Sequence, residues 1–231
     1  MRRLGLLSIV LIMFLGFSSM AQSIGSETDS KEIKRFFQAY QLMVKYANDT
    51  MKIKSILDTV QVPDYVKEVL EFMAFYYRAV LGGEHEPCVK RARQLLDKIE
   101  KEYRGQIPER HYKWMIGAVN QGYGSCLYYL GDYINSFLTY KEAYEMFNSV
   151  GDSTLAAITL TNMATVLMRV KMYDEVLKYY VMAKKYLIKD SLRLVPLNLN
   201  IGAMYMYLER PDLALRYYNE ALMLAHRVME K

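Results

Sequence analysis

Apolar and polar residues follow a helical period along nearly the whole chain. Ile33, Phe36, Phe37, Tyr40, Val44 and Ala47 fall three and four apart, the spacing of one helix face. Asp29 followed by Glu32 resembles a capping box that opens this helix. A shorter helix is expected over residues 51–59. Pro63 then marks a boundary, and Asp64 caps a third helix running through Tyr65, Val69, Phe72, Met73, Tyr76 and Val80. The run Gly82-Gly83-Glu84-His85-Glu86-Pro87 breaks the pattern, with glycines closing one helix and proline opening the next. Residues 88–103 form the second arm of a divergent hairpin. Three further pairs are expected over 108–130 and 132–149, 153–170 and 172–189, and 195–208 and 211–229. Pro196 and Pro211 are expected in first turns, where a missing N–H costs nothing. No stretch alternates in the manner of a strand, so the chain reads as all-α.

The last three pairs are copies of one unit. Gly124, Gly131, Tyr133, Tyr140 and Ala143 return as Ala164, Lys171, Tyr173, Val176, Tyr180 and Ala183. They return again as Gly202, Glu209, Ala214, Tyr218 and Ala221. A small residue in the first helix lets its partner approach closely. Tyr140, Tyr180 and Tyr218 of the second helix are expected to fill space toward the next hairpin. Gly131-Asp132 supplies a left-handed stop followed by a cap; Lys171 and Glu209 replace that glycine, and Ser136 and Val176 replace a usual alanine.

These residues and spacings resemble the tetratricopeptide repeat, whose period is about 34 residues. Here the alanines Ala143, Ala183 and Ala221 lie 40 and 38 residues apart, so the units are long. The Met- and Tyr-rich repeats, together with the basic-apolar first residues, look like those of exported tetratricopeptide proteins of the Bacteroidetes type. The resemblance implies a right-handed superhelical solenoid of antiparallel hairpins, because one hairpin cannot bury its own apolar face. It also implies a partner held on the concave wall formed by the first helices. Carried over by position, that wall comprises Gln121, Ser125, Tyr128 and Tyr129, then Thr161, Asn162, Thr165, Met168 and Arg169. Leu199, Asn200, Ala203, Met206 and Tyr207 complete it. Asn162 and Asn200 hold places where relatives hydrogen-bond a peptide backbone. The basic positions of a carboxylate clamp read Gln121, Thr161, Leu199 and Ala203, which argues against a peptide carboxylate as ligand. An apolar and aromatic wall suits a protein or peptide with apolar side chains. The alternative to a groove ligand is that these rings and thioethers are core.

The first residues change the picture of where the protein works. Arg2 and Arg3 precede an uncharged apolar run over residues 4–17, followed by Ser18, Ser19 and Ala21, the layout of a secretory signal peptide. The run is shorter than the roughly 20 residues that span a bilayer. The expected organisation is a signal peptide over 1–21, a leader over 22–29, helices with a divergent hairpin over 30–107, and three repeats over 108–231. The product is expected to be exported, periplasmic or otherwise secreted. Removing Arg2 and Arg3, and no acidic residue, takes the formal charge from +5 to +3, too small an excess for a nucleic-acid footprint. Cys88 and Cys126 are the two cysteines. An oxidising space permits their pairing, but Cys126 falls in an apolar helix and buried free thiols are the expectation.

Catalytic signatures are missing: no HExxH, GxSxG, phosphate-cradling glycine loop or CxxC occurs. His85, His111 and His226 fall in different elements, and His85 between Glu84 and Glu86 reads as a solvated loop rather than a metal site. The reading is a non-enzymatic binding scaffold without cofactor or metal. A periplasmic sensor module of a signal-transduction or transcription-regulatory protein is the alternative. The last helix, with Met223, Leu224 and Val228, is expected to leave a face available for a homodimer or a docked partner.

Overall fold

The computed structural model describes residues 63–188 and 191–229, with short helical stretches at 55–56 and 58–59. The expected signal peptide, the leader and the stripe from Ile33 to Ala47 lie outside the described residues. The described chain is all-α. Its helices are α1 (Asp64–Gly82), α2 (His85–Lys98), α3 (Glu109–Leu130), α4 (Tyr133–Ser149), α5 (Ser153–Arg169), α6 (Tyr173–Tyr186), α7 (Ser191–Tyr207) and α8 (Pro211–Met229).

Two of these differ from expectation. The helix expected to run to residue 103 widens after Lys98 into a π-helical turn, Ile99–Tyr103. Lys98, just before that turn, and Tyr103, its last residue, both reach Oε1 of Glu68 in α1, at 2.8 and 2.7 Å. The helix α7 begins at Ser191 rather than at residue 195, so Pro196 lies inside it and not in its first turn. The proline removes the N–H that would meet the Leu192 carbonyl. Leu192 and Pro196 are both exposed, so water can take that place.

The helices stop in one repeated way. Gly131 stands at φ 84°, a left-handed turn that glycine adopts without Cβ strain. Gly131 N–H donates to the Tyr128 carbonyl and Asp132 N–H to that of Leu127, at 3.1 and 3.0 Å, which closes the last turn of α3. The Asp132 carboxylate then accepts from Asn135 N–H at 3.2 Å and starts α4. Lys171 and Glu209 make the same turn with φ 63° and 54°. Met172 N–H bonds the Leu167 carbonyl at 3.0 Å, and Arg210 N–H that of Tyr205 at 2.8 Å.

The described chain forms two compact units divided between Leu155 and Ala156. In the first, α3 packs against α1, α2 and α4, burying Phe72, Met115, Val119 and Phe147. Each such side chain contributes roughly 1.5–3 kcal/mol by leaving water. A disulfide joins Cys88 of α2 to Cys126 of α3, which corrects the expectation of free thiols. Both residues are fully buried and stand opposite each other where α2 lies along α3.

In the second unit α7 packs against α8 and α6. The tyrosines expected to point toward the next hairpin instead fill their own. A Cβ built on Gly124 would stand 2.9 Å from the Tyr140 ring, and one on Gly202 would stand 2.5 Å from that of Tyr218. Each ring occupies the room the glycine leaves. Ser136, where an alanine is usual, is fully buried and donates to the Gly124 carbonyl at 2.7 Å.

Candidate functional site

Each unit carries its own first-helix surface. In the first unit the four expected residues of α3 divide by depth. Ser125 is buried, with its hydroxyl 2.7 Å from that of Tyr140 and donating to the Gln121 carbonyl at 3.0 Å. It therefore belongs to a buried hydroxyl cluster. Gln121 and Tyr128 are half-buried, and Tyr129 is exposed. Beneath them, burial pushes the Tyr76 hydroxyl up to about 12, against the opposing hydrogen bond from Ser125. Burial likewise holds Tyr140 well above its ordinary range, helped by the neighbouring Tyr76.

The outer part of this surface is aromatic. Tyr129 stacks on His85 with centroids 5.1 Å apart, and meets Tyr128 edge-on at 5.4 Å. Tyr128 in turn meets Tyr133 at 5.7 Å. Burial lowers the His85 pKa and raises that of Tyr129, so the stacked pair favours the neutral imidazole. His85 was absent from the sequence-derived wall. The disulfide explains its place: His85 lies one turn before Cys88, and Tyr129 one turn after Cys126. Antiparallel helices pinned at those cysteines bring the two rings together.

In the second unit, α5 presents Thr161, Asn162, Thr165 and Met168 half-buried, with Arg169 exposed. The threonine hydroxyls turn back on their own helix. Thr161 donates to the Ala157 carbonyl and Thr165 to that of Thr161, each at 3.0 Å. This surface is accordingly less polar than its composition suggests, since those hydroxyls already have acceptors. The Tyr180 hydroxyl contacts the Met168 sulfur at 3.6 Å.

On α7 the expected residues Leu199, Asn200, Ala203, Met206 and Tyr207 are all exposed. Leu192 and Pro196 extend the row toward the start of the helix, at the same three-and-four spacing. Leu192, Pro196, Leu199, Ala203 and Met206 thus make one uncharged apolar stripe, beside which Tyr207 stacks on Tyr173 at 5.8 Å. The charged groups of this unit sit elsewhere. Lys184 of α6 donates to both carboxylate oxygens of Glu220 in α8 at 2.8 Å and lies over the Tyr217 ring.

Among the described residues no group of three or more His, Cys, Asp or Glu is placed to hold a metal ion. No described helix is long and apolar enough to cross a membrane.

No protein-family model and no curated protein matches the chain. Solved structures do. The fold is similar to that of BtubC (BKLC) from P. vanneervenii, with a TM-score of 0.60 at 13% identity over 86% of this chain and 75% of that one. It is also similar to a Rap protein solved in complex with Competence and Sporulation Factor, with a TM-score of 0.56 at 16% identity. That match covers 88% of this chain and 66% of the Rap chain, so the chain spans about two thirds of that neighbour. At such identities the likeness speaks for fold alone. The chain has the all-α, helical-repeat fold of these tetratricopeptide-like proteins, a class that winds as superhelices of antiparallel hairpins.

Proposed function

We propose that this chain is a non-enzymatic, exported scaffold that takes up a protein or peptide with apolar side chains on its first-helix surfaces. The observation that carries the reading is the stripe on α7: five exposed apolar positions in register, without a formal charge. An exposed row of this kind, beside an exposed amide at Asn200 and the ring of Tyr207, marks an interaction surface. Its chemistry selects a partner with apolar anchors rather than an acidic one. The Rap neighbour, solved with a bound factor, supports the idea that this fold serves recognition. Export draws support from the basic-apolar leader and from the Cys88–Cys126 disulfide, since such bonds persist in oxidising compartments.

The test is selection of a displayed random-peptide library on residues 22–231, repeated on the Met206→Asp variant and on Tyr128→Ala/Tyr207→Ala. Enrichment of peptides rich in apolar residues, lost on Met206→Asp while helicity is kept, supports the proposal. Selection of acidic peptides, or equal capture by all variants, overturns it. A periplasmic sensor module of a signal-transduction or transcription-regulatory protein is the second reading, favoured by the same Rap likeness. It uses the same surface, with the bound ligand acting as a signal.

A further inference from the structure

Among the described residues, little besides the disulfide ties the first two turns of α2 to α3. Cys88 and Ala92 are the buried residues of this helix, and no side chain caps its start at Glu84. Its other ties begin at Arg91, which lies over the Phe75 ring of α1 with 4.8 Å to the ring centre. Arg93 then donates to the Tyr123 hydroxyl at 2.6 Å, and Lys98 to Glu68 at 2.8 Å. Ahead of Arg91, Glu84, Glu86, Pro87 and Lys90 are exposed, while His85 and Val89 are half-buried. The docked position of His85 also carries a cost. Its Nδ1 is sealed from water and has no hydrogen-bond partner, so stacking on Tyr129 leaves a polar atom unanswered. The chain before it has room to pivot. Gly82 and Gly83 are exposed, and a Cβ on either would meet nothing within 4 Å.

An uncapped helix start, two glycines before it and an unpaired buried nitrogen all favour release once the covalent tie is cut. We propose that the Cys88–Cys126 bond is a redox latch: reduction frees the first two turns of α2 and uncovers the face of Tyr129 that His85 covers, and oxidation closes it again. A dithiol reductant supplies the chemistry. One of its thiolates attacks a protein sulfur to give a mixed disulfide, and its second displaces the protein thiolate from that intermediate. The reductant leaves as its own disulfide, and the two electrons and two protons it gives up end on the Cys88 and Cys126 thiols. Both cysteines are fully buried, so the first attack waits for local opening of the helix pair. The latch belongs to the first unit and is independent of the stripe on α7.

The test is amide hydrogen exchange, read by mass spectrometry, on residues 22–231 oxidised, reduced with dithiothreitol, and reoxidised. Reduction is expected to speed exchange over residues 85–91 by about tenfold or more, while residues 92–98 and α3 keep their rates, and reoxidation should reverse it. Nitration of Tyr129 by tetranitromethane reads the ring, comparing oxidised wild type with Cys88→Ala/Cys126→Ala, where no thiol consumes the reagent, and with oxidised His85→Ala. Both variants should nitrate faster at Tyr129, and His85→Ala should keep slow exchange over residues 85–91. Unchanged exchange there on reduction overturns the proposal, because the turns then stay docked without the bond. A rise that spreads equally through α3 overturns it too, since the bond is then a general support and not a latch. Nitration of Tyr129 that neither variant raises shows that His85 does not cover the ring, and overturns the uncovering.

Discussion

Cys88 and Cys126 join α2 to α3 at a sequence separation of 38, and their bond sets the register in which His85 meets Tyr129. Closing a loop of that length in the unfolded chain stabilises the fold by about 3–4.7 kcal/mol on the chain-entropy view. Cys88→Ala/Cys126→Ala is expected to lose that amount in denaturant titration. Wild type in reductant should fall to the level of the double variant, which should itself be insensitive to reductant. If reductant leaves the wild type unchanged, the bond contributes nothing to stability.

Asn198 offers a test of a different kind. It is fully buried, and neither end of its amide has a hydrogen-bond partner. Its equivalent in the first clear repeat, Asn120, donates to Glu142 at 3.2 Å. The matching glutamate in the third repeat is Glu220, whose two oxygens are held by Lys184. The middle repeat has Leu160 at this position, fully buried. A buried amide without partners costs about 1–3 kcal/mol, so Asn198→Leu should raise stability by an amount of that order. Lys184→Met should release Glu220 toward Asn198, and the gain from Asn198→Leu should shrink in that background. A destabilised Asn198→Leu, measured by chemical denaturation, would mean the amide is satisfied in solution.

Much of this architecture is legible in the residues themselves, and the parts that are not share a physical reason. Helix faces such as Phe72 to Val80, and the stop at Gly131-Asp132, are written locally and read correctly. What depends on a contact between distant elements does not show. The Cys88–Cys126 pairing is invisible because a cysteine on an apolar helix face has the same pattern whether it is bonded or free. His85 drops out of the aromatic surface for the same reason. The expected direction of Tyr140 differs from the observed one because the small residue that receives it, Gly124, lies in another helix. Ser125 falls on the surface by repeat position but is drawn inward by Tyr140 and Tyr76, partners that its own helix does not reveal.

Lys171 and Glu209 hold left-handed turns, at φ 63° and 54°, that Gly131 makes without strain. A side chain in that conformation costs roughly 1–2 kcal/mol relative to its right-handed form. Lys171→Gly and Glu209→Gly should therefore each stabilise the protein by about 0.5–1 kcal/mol, once glycine's extra freedom in the unfolded chain is set against the relief. The sites are separate turns, so the two effects should add. A loss of stability in either variant, read from thermal unfolding, would contradict the strain assigned there.

The glycine–tyrosine contacts predict an asymmetry between the two units. A methyl on Gly124 meets a Tyr140 ring that is 4% exposed and tied to Ser125. A methyl on Gly202 comes closer still to Tyr218, but that ring is partly exposed and has room to swing outward. Overpacking of a fixed neighbour costs about 1–3 kcal/mol, while alanine gains about 1 kcal/mol over glycine within a helix. Gly124→Ala should lower stability by about 1 kcal/mol, and Gly202→Ala should be close to neutral. The reverse order in melting experiments would show that the Tyr140 ring is the mobile one.

The buried tyrosines of the first unit make stability depend on alkaline pH. Tyr76 is pushed up to about 12 and Tyr140 well above 10, in both cases chiefly by burial. In the unfolded chain both ionise near the ordinary value of about 10. Above that pH the unfolded state holds fewer protons than the folded one, so stability falls as pH rises. The contribution is complete below about pH 10 and is lost progressively above it, at up to about 1.4 kcal/mol per pH unit for each ring. For Tyr76 alone the loss reaches roughly 2–3 kcal/mol by about pH 12. Tyr140→Phe removes one titrating group but also deprives Ser125 of a partner, costing about 1 kcal/mol at neutral pH. The variant should start less stable and decline less steeply than wild type in denaturant titrations carried from neutral to alkaline buffer. Equal slopes for the two proteins would show that the Tyr140 hydroxyl is reached by solvent before the chain unfolds.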